Sequence, residues 1–262
     1  MSFRQTRLFT AIFRNALIAL FLTAGLFSAA RSEENFYYQK PGASVLVPEA
    51  SAPAAVAVRA ASSAGYLTSA QEAITDFPPP PAVGSSEDKA DLAAVLQWQK
   101  DRTPEQCAAA KAQADQSFIS FFGNVSPFAK PLPAAVGAFF KRVSDDSGNA
   151  NRYIKNIYKR DRPFLRSSEL NPCLGRAQGF SYPSGHATDS HLFGLILSDL
   201  LPRQGAIFMR NADQAALNRV IGGVHHPSDV EAGKRLGDRL YREMLKNPAF
   251  VADMQALRQY LR

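Results

Sequence analysis

The chain has 262 residues, 46% hydrophobic and 20% charged, which excludes wholesale disorder, collagen and coiled coil and leaves enough apolar material for a genuine core. Its formal charge of +7 includes three arginines in the first thirty residues, where there is no acid. The modest excess elsewhere does not point to a nucleic-acid polymer, but it suits an anionic ligand if the cations converge on one place.

In chain order, Arg4, Arg7 and Arg14 precede an uncharged run from Ala16 to Phe27, followed by the small residues Ser28, Ala29 and Ala30. This is the layout of a secretory signal peptide over residues 1–30, with an uncleaved signal anchor as the alternative. The run is shorter than the roughly 20 apolar residues a span needs, so export to the periplasm or beyond, without stable membrane insertion after cleavage, is expected. Residues 31–84, rich in Ala, Ser, Val and Pro, are expected to form a loosely ordered arm ending in Pro78 to Pro81. Cys107 and Cys173 are the only cysteines; in an exported chain they either pair or remain two buried thiols.

From residue 85 to 262 the pattern is helical. Ser86 is placed to cap a first helix, and Thr103-Pro104-Glu105-Gln106 is a capping box opening a second that runs to about Phe122. Further helices are expected over Pro133 to Val143, Ala150 to about Arg160, Gly185 to Leu201, Gln204 to Ile221, Ser228 to Lys246 and Pro248 to Leu261, with Asp145-Asp146 as a cap between the first two. Alternating strand-type runs are nearly absent, so the domain is expected to be an all-α, compact multi-helix bundle.

Three segments carry chemistry. Lys155 and Arg162-Pro163 lie seven residues apart, about two helical turns, and project from nearly the same face. Tyr182-Pro183-Ser184-Gly185-His186 makes a tight turn into an apolar helix, so that backbone N–H groups and the helix start favour an anion beside His186. Arg219 is followed by Gly222-Gly223, His225, His226 and Asp229, where Asp229 lies four residues beyond His225, within reach of its Nδ1. Taken singly, each has a plain structural explanation as a solvated face or a helix cap.

Together, K-x6-RP, PSGH and R-x5-H-x3-D, in that order, resemble the phosphatidic acid phosphatase type 2 (PAP2) superfamily, and more narrowly the bacterial class A non-specific acid phosphatases. The proline-rich Pro78 to Ser85 and Asn247-Pro248-Ala249-Phe250 extend the likeness over roughly residues 66–262. One departure is Asn218, where the family usually has Ser; an amide can still donate to a phosphate oxygen or a neighbour. The resemblance implies hydrolysis of small phosphomonoesters without metal or other cofactor. His225 would attack phosphorus, Asp229 would hold its tautomer and His186 would protonate the leaving group. Lys155, Arg162, Ser184, Gly185 and Arg219 would bind phosphate. A bell-shaped, acidic-to-neutral pH profile follows.

His191 and His226 are expected to be structural, while Lys159, Arg160 and Arg166 are expected to thicken the positive field around the mouth. Expected partners are phosphomonoester substrates and inorganic phosphate, with a homo-oligomer left open. A lipid-phosphate phosphatase would use the same core in a membrane-embedded bundle, and vanadium haloperoxidases, usually much longer, share this kind of oxyanion site. A non-catalytic phospho-ligand binder would have no need of an oriented His225–Asp229 pair. A serine hydrolase is excluded, because Ser184 is not in G-x-S-x-G and no β/α alternation surrounds it.

Overall fold

The computed structural model describes residues 65–262; the signal peptide and residues 31–64 of the expected arm lie outside them. Ten α-helices are described: α1 Ser69–Glu72, α2 Ser86–Asp101, α3 Pro104–Ala112, α4 Phe118–Phe122, α5 Ala134–Tyr158, α6 Pro163–Arg166, α7 Gly185–Leu200, α8 Gly205–Ile221, α9 Pro227–Met244 and α10 Pro248–Ala256. Among the described residues there is no strand, only a single bridge between Phe128 and Leu261, so the fold is all-α as expected.

Helix α7 is the axis. It is buried on nearly every side, through the apolar run Leu192 to Leu197 and the buried polar residues Thr188, Asp189, Ser190 and Ser198, and α8 and α9 pack along it. Gly233 of α9 makes the closest approach: a Cβ there would fall 2.5 Å from the Ser184 carbonyl oxygen and 2.8 Å from the Ala187 Cβ. Only glycine lets α9 lie this tightly on the start of α7. On the other flank, α5 buries Val136, Phe139, Phe140, Val143, Ala150 and Ile154 at three- and four-residue spacing. Phe140 stacks on Phe118 at 4.2 Å between centroids and meets Phe193 of α7 edge-on at 4.9 Å.

Several expectations need correction. The two helices expected on either side of residues 144–149 are one 25-residue helix, α5. Ser144 and Ser147 do not break it, because both hydroxyls donate to the buried Asp189 of α7; Asp146 accepts from the backbone of Tyr66 (2.7 Å) and Leu67 (3.3 Å), and no cap is formed. Conversely, the helix expected to run from Thr103 to Phe122 is interrupted at residues 113–117. The α2 cap is Ser85, one residue before Ser86. That of α9 is His226 with Pro227 as first residue, in place of Ser228. Part of the expected arm is core: Tyr66, Ile74 and Phe77 are buried, and Thr68 forms a capping box on α1.

Cys107 of α3 and Cys173 form a disulfide across 66 residues of sequence. It ties α3 to the 167–184 loop.

Candidate active site

The three sequence segments converge at the N-terminal end of α7. Ser184 caps this helix, its Oγ accepting from the Ala187 N–H at 3.4 Å, and its own N–H donates to the Asp229 carbonyl at 2.9 Å, locking the start of α7 to α9. Helix α5 ends at Tyr158, and Lys159 adopts the left-handed conformation (φ 46°) that turns the chain inward. The residues that follow lie along the 167–184 loop: Ser181 donates from its N–H to the Arg160 carbonyl and from its hydroxyl to that of Asp161. Gly223 (φ 80°) closes α8 against Pro172, where a Cβ would meet the Pro172 Cα at 3.0 Å, and presents His225.

Three cations line this space. Lys155 donates to the Phe180 carbonyl at 2.7 Å. Arg162 is gripped by the carbonyls of Gly179 (2.9 Å), Val224 (2.9 Å) and Gln178 (3.0 Å). Arg219 is only 6% exposed, yet its Nε and Nη1 have no partner. None of the three forms an ion pair among the described residues; the carbonyls that hold Lys155 and Arg162 are neutral and fix position without cancelling charge. Burial, reinforced by Arg162, pushes Lys155 down to about 7 and Arg219 down to about 10.

His225 is buried against this cluster. Its Nε2 lies 3.2 Å from Arg162 Nη1, and because arginine can only donate, Nε2 is the acceptor and Nδ1 carries the hydrogen. Burial and the neighbouring Arg162 and Lys155 hold His225 well below the ordinary imidazole range, so it is neutral with its lone pair on Nε2. Asp229 stands at the other end of the ring, but less simply than its spacing suggests. Its Oδ2 lies 3.4 Å from His225 Nδ1, too long for a well-formed hydrogen bond, and that nitrogen has no other partner. The same oxygen accepts from the backbone N–H of His226 (2.8 Å) and from His226 Nδ1 (3.0 Å). Burial would raise Asp229, but the two imidazoles outweigh it and hold the carboxyl well below the usual carboxylate range.

His186, in the first turn of α7, is half-buried; its Nε2 donates to the Ala114 carbonyl at 2.9 Å. Burial, with Arg219 and Arg162 close by, pushes it down to about 3. Asn218 turns away from this space and bonds its neighbours, donating to Gln113 Oε1 (2.6 Å) and accepting from Gln214 (2.9 Å). Gln116 donates to Asp189 at 2.8 Å. The 113–117 segment is thus gripped at three points by the residues around the site, and this is why the helix beginning at Thr103 ends at Ala112.

The three segments therefore meet as expected, with Gly185 opening α7 beside them. His191 is structural, bonded to Asp238 at 2.9 Å. Arg160 is buried and Arg166 half-buried, and both are paired to carboxylates, so they add little free charge to the field around a mouth. Asp88 and Asp91 of α2 hold them; Asp88, in the first turn of that helix, has an ordinary dipole explanation in the sequence, and Asp91 shows no local signal there.

The all-α domain thus gathers buried cations and an oriented imidazole at one helix start. Residues 134–239 match the PAP2 superfamily model, and the chain carries a domain of that superfamily. It is 26% identical over 204 residues to a non-specific acid phosphatase of Providencia stuartii, covering 72% of this chain and 82% of that one. It is 32% identical over 106 residues to a lipid A 1-phosphatase of Rhizobium etli, covering 39% of this chain and 46% of that protein. Among solved structures, a bacterial vanadium-dependent iodoperoxidase superposes with a TM-score of 0.54 at 17% identity, over 67% of this chain and 53% of that chain; the likeness is one of fold.

Proposed function

We propose that the protein is an exported, periplasmic acid phosphatase of the class A non-specific type. It hydrolyses small phosphomonoesters by way of a phosphohistidine. The observation that carries this reading is a set of cations without a carboxylate partner, the buried Arg162 and Arg219 and the half-buried Lys155, with Arg162 against the Nε2 lone pair of His225. A buried cation without a counter-ion is costly, and a phosphate dianion is the natural complement.

In this mechanism phosphate oxygens replace the long Arg162–His225 contact and engage the free Arg219 N–H groups, with the Ser184 hydroxyl and the N–H groups at the start of α7 as further donors. His225 Nε2 attacks phosphorus in line, the ester P–O bond breaks, and the departing alkoxide takes a proton from His186. The low proton affinity of His186 belongs to the empty site; a bound dianion offsets Arg219 and Arg162 and raises it. Water then attacks the phosphohistidine, giving its proton to His186 and releasing inorganic phosphate.

A lipid-phosphate substrate is a second reading, favoured by the lipid A 1-phosphatase relative; no helix among the described residues is long and apolar enough to cross a membrane. The test is hydrolysis of p-nitrophenyl phosphate in EDTA across pH 4 to 9, beside His225→Ala and a vanadate control, with a lipid phosphate in detergent as a parallel substrate. Metal-independent turnover abolished in His225→Ala is expected. A protein that binds phosphate but turns over neither substrate is a binding module.

A further inference from the structure

Behind the anion-binding cations lies a second, paired set that the mechanism above does not use. The Arg160 guanidinium is 7% exposed and joins two helices. Its Nη1 donates to Asp229 Oδ1 and to Ser228 Oγ, both at 2.7 Å, and its Nη2 to Asp91 (2.8 Å) and Asp88 (3.2 Å) of α2. Asp91 also accepts from the Ser228 N–H (3.1 Å) and hydroxyl, fastening the start of α9. Arg166 spans Asp88 Oδ2 (2.7 Å) and His226 Nε2 (3.0 Å). Since arginine can only donate, His226 is fixed with its hydrogen on Nδ1, pointing at Asp229 Oδ2. His226 and His225 thus address the same carboxylate oxygen, each set in its tautomer by a different arginine.

We propose that Arg160 is a positioning residue for His225: pinned by Asp88 and Asp91 of α2, it occupies one oxygen of Asp229 and limits how strongly that carboxylate pulls on the imidazole proton. Helix α2 lies outside the matched segment 134–239, so the tuning of the nucleophile is supplied from elsewhere in the fold.

The charges give the sign. Three carboxylates, Asp88, Asp91 and Asp229, face two guanidiniums, Arg160 and Arg166, which leaves one excess negative charge beside the histidine pair. The groups facing His225 are Lys155 of α5, Arg162 before α6, Arg219 of α8, His186 of α7, and His226 and Asp229. Removing Arg160 leaves three carboxylates with one cation, and His225 then gains proton affinity and fails as a nucleophile at acidic pH. Removing one carboxylate of α2 works in the opposite direction.

The proposal deepens the phosphatase reading and rests on it only for its turnover readout. The chain has four histidines, so the His225 imidazole can be assigned and titrated by nitrogen-detected NMR in the phosphate-free protein. Arg160→Gln is expected to raise the His225 midpoint by about one pH unit or more and to lower kcat at acidic pH by about 10- to 100-fold. Inorganic phosphate affinity, which depends on Lys155, Arg162 and Arg219, stays within about threefold. Arg160→Lys restores the midpoint, and Asp91→Asn does not raise it.

General loosening would raise the midpoint in both Arg160→Gln and Asp91→Asn, and that result overturns the proposal. So does an unmoved midpoint with kcat, phosphate affinity and thermal stability falling together. If Arg160→Gln does not fold, Arg166→Gln, which removes the other cation, must raise the midpoint by a smaller amount, and no rise there refutes the idea. A wild type without turnover removes the phosphatase reading, while the titration still decides the role of Arg160.

Discussion

The unpartnered state of Arg219 predicts that the anion site is maintained against stability. In Arg219→Met the apolar stem keeps its packing and the buried guanidinium is lost. The fall of its proton affinity to about 10 corresponds to about 3 kcal/mol of unfavourable burial. Two unsatisfied N–H donors, Nε and Nη1, at roughly 1–3 kcal/mol each describe the same cost in another way, so the two figures are not added. Loss of some van der Waals contact offsets part of it, leaving a gain of about 1–3 kcal/mol. For a domain of this size that is a rise in Tm of roughly 2–10 °C. The assay is thermal unfolding in phosphate-free buffer, repeated with saturating phosphate. Arg219→Met should melt higher than wild type without phosphate, lose most of the phosphate-induced rise, and lose activity. A variant that melts lower in phosphate-free buffer would refute the reasoning, because Arg219 would then have been held by interactions the geometry does not contain.

Four further outcomes follow from particular contacts. Gly233→Ala places a methyl 2.5 Å from the Ser184 carbonyl oxygen; a loss of about 2 kcal/mol or more, with a fall in kcat as the start of α7 is displaced, should appear in paired denaturant and turnover measurements. Lys155 is pushed down to about 7 by burial and then by Arg162. Phosphate must restore its proton in order to bind at higher pH, so calorimetric affinity should weaken above about pH 7, and Lys155→Met should flatten that dependence. Replacing both Cys107 and Cys173 by Ser opens a loop of 66 residues, with an expected loss of about 4 kcal/mol by the chain-entropy relation, read as a drop in the urea midpoint. Lys159→Gly relieves the left-handed backbone at φ 46° and should raise stability by about 0.5–1 kcal/mol.

The anion-binding segments were legible because their spacing is local. Two turns separate Lys155 from Arg162, a capped turn carries Ser184 to His186, and a glycine pair followed by four residues relates His225 to Asp229. Helix periodicity and cap chemistry act over such distances, and they place α7 and α8 almost to the residue, α9 to within two residues and the start of α10, whose α-helical part ends at Ala256, five residues before the expected Leu261. The errors share a cause of the opposite kind. Ser144 and Ser147 look like helix breakers until the Asp189 carboxylate, more than forty residues away in sequence, takes their hydroxyls. Residues 113–117 look helical until Asn218, His186 and Asp189 bind them. The expected Asp229–His225 hydrogen bond is likewise weakened by His226, which lies nearer to the same oxygen.

The division of the basic residues shows most clearly what local pattern omits. Lys155, Arg160, Arg162 and Arg166 fall within twelve residues; the K-x6-RP spacing singles out Lys155 and Arg162, but nothing in that stretch shows that Arg160 and Arg166 are paired within the protein. The distinction is imposed from α2, whose Asp88 and Asp91 claim Arg160 and Arg166, while Lys155 and Arg162 meet backbone carbonyls and, at Arg162, the neutral His225 ring, with no carboxylate. Carboxylates neutralise and carbonyls merely orient, so the same run of cations separates into a rigid scaffold under Asp229 and an uncompensated field over His225. A site of this kind needs both: charge left open for the ligand, and charge closed off around the group that must stay neutral to attack it.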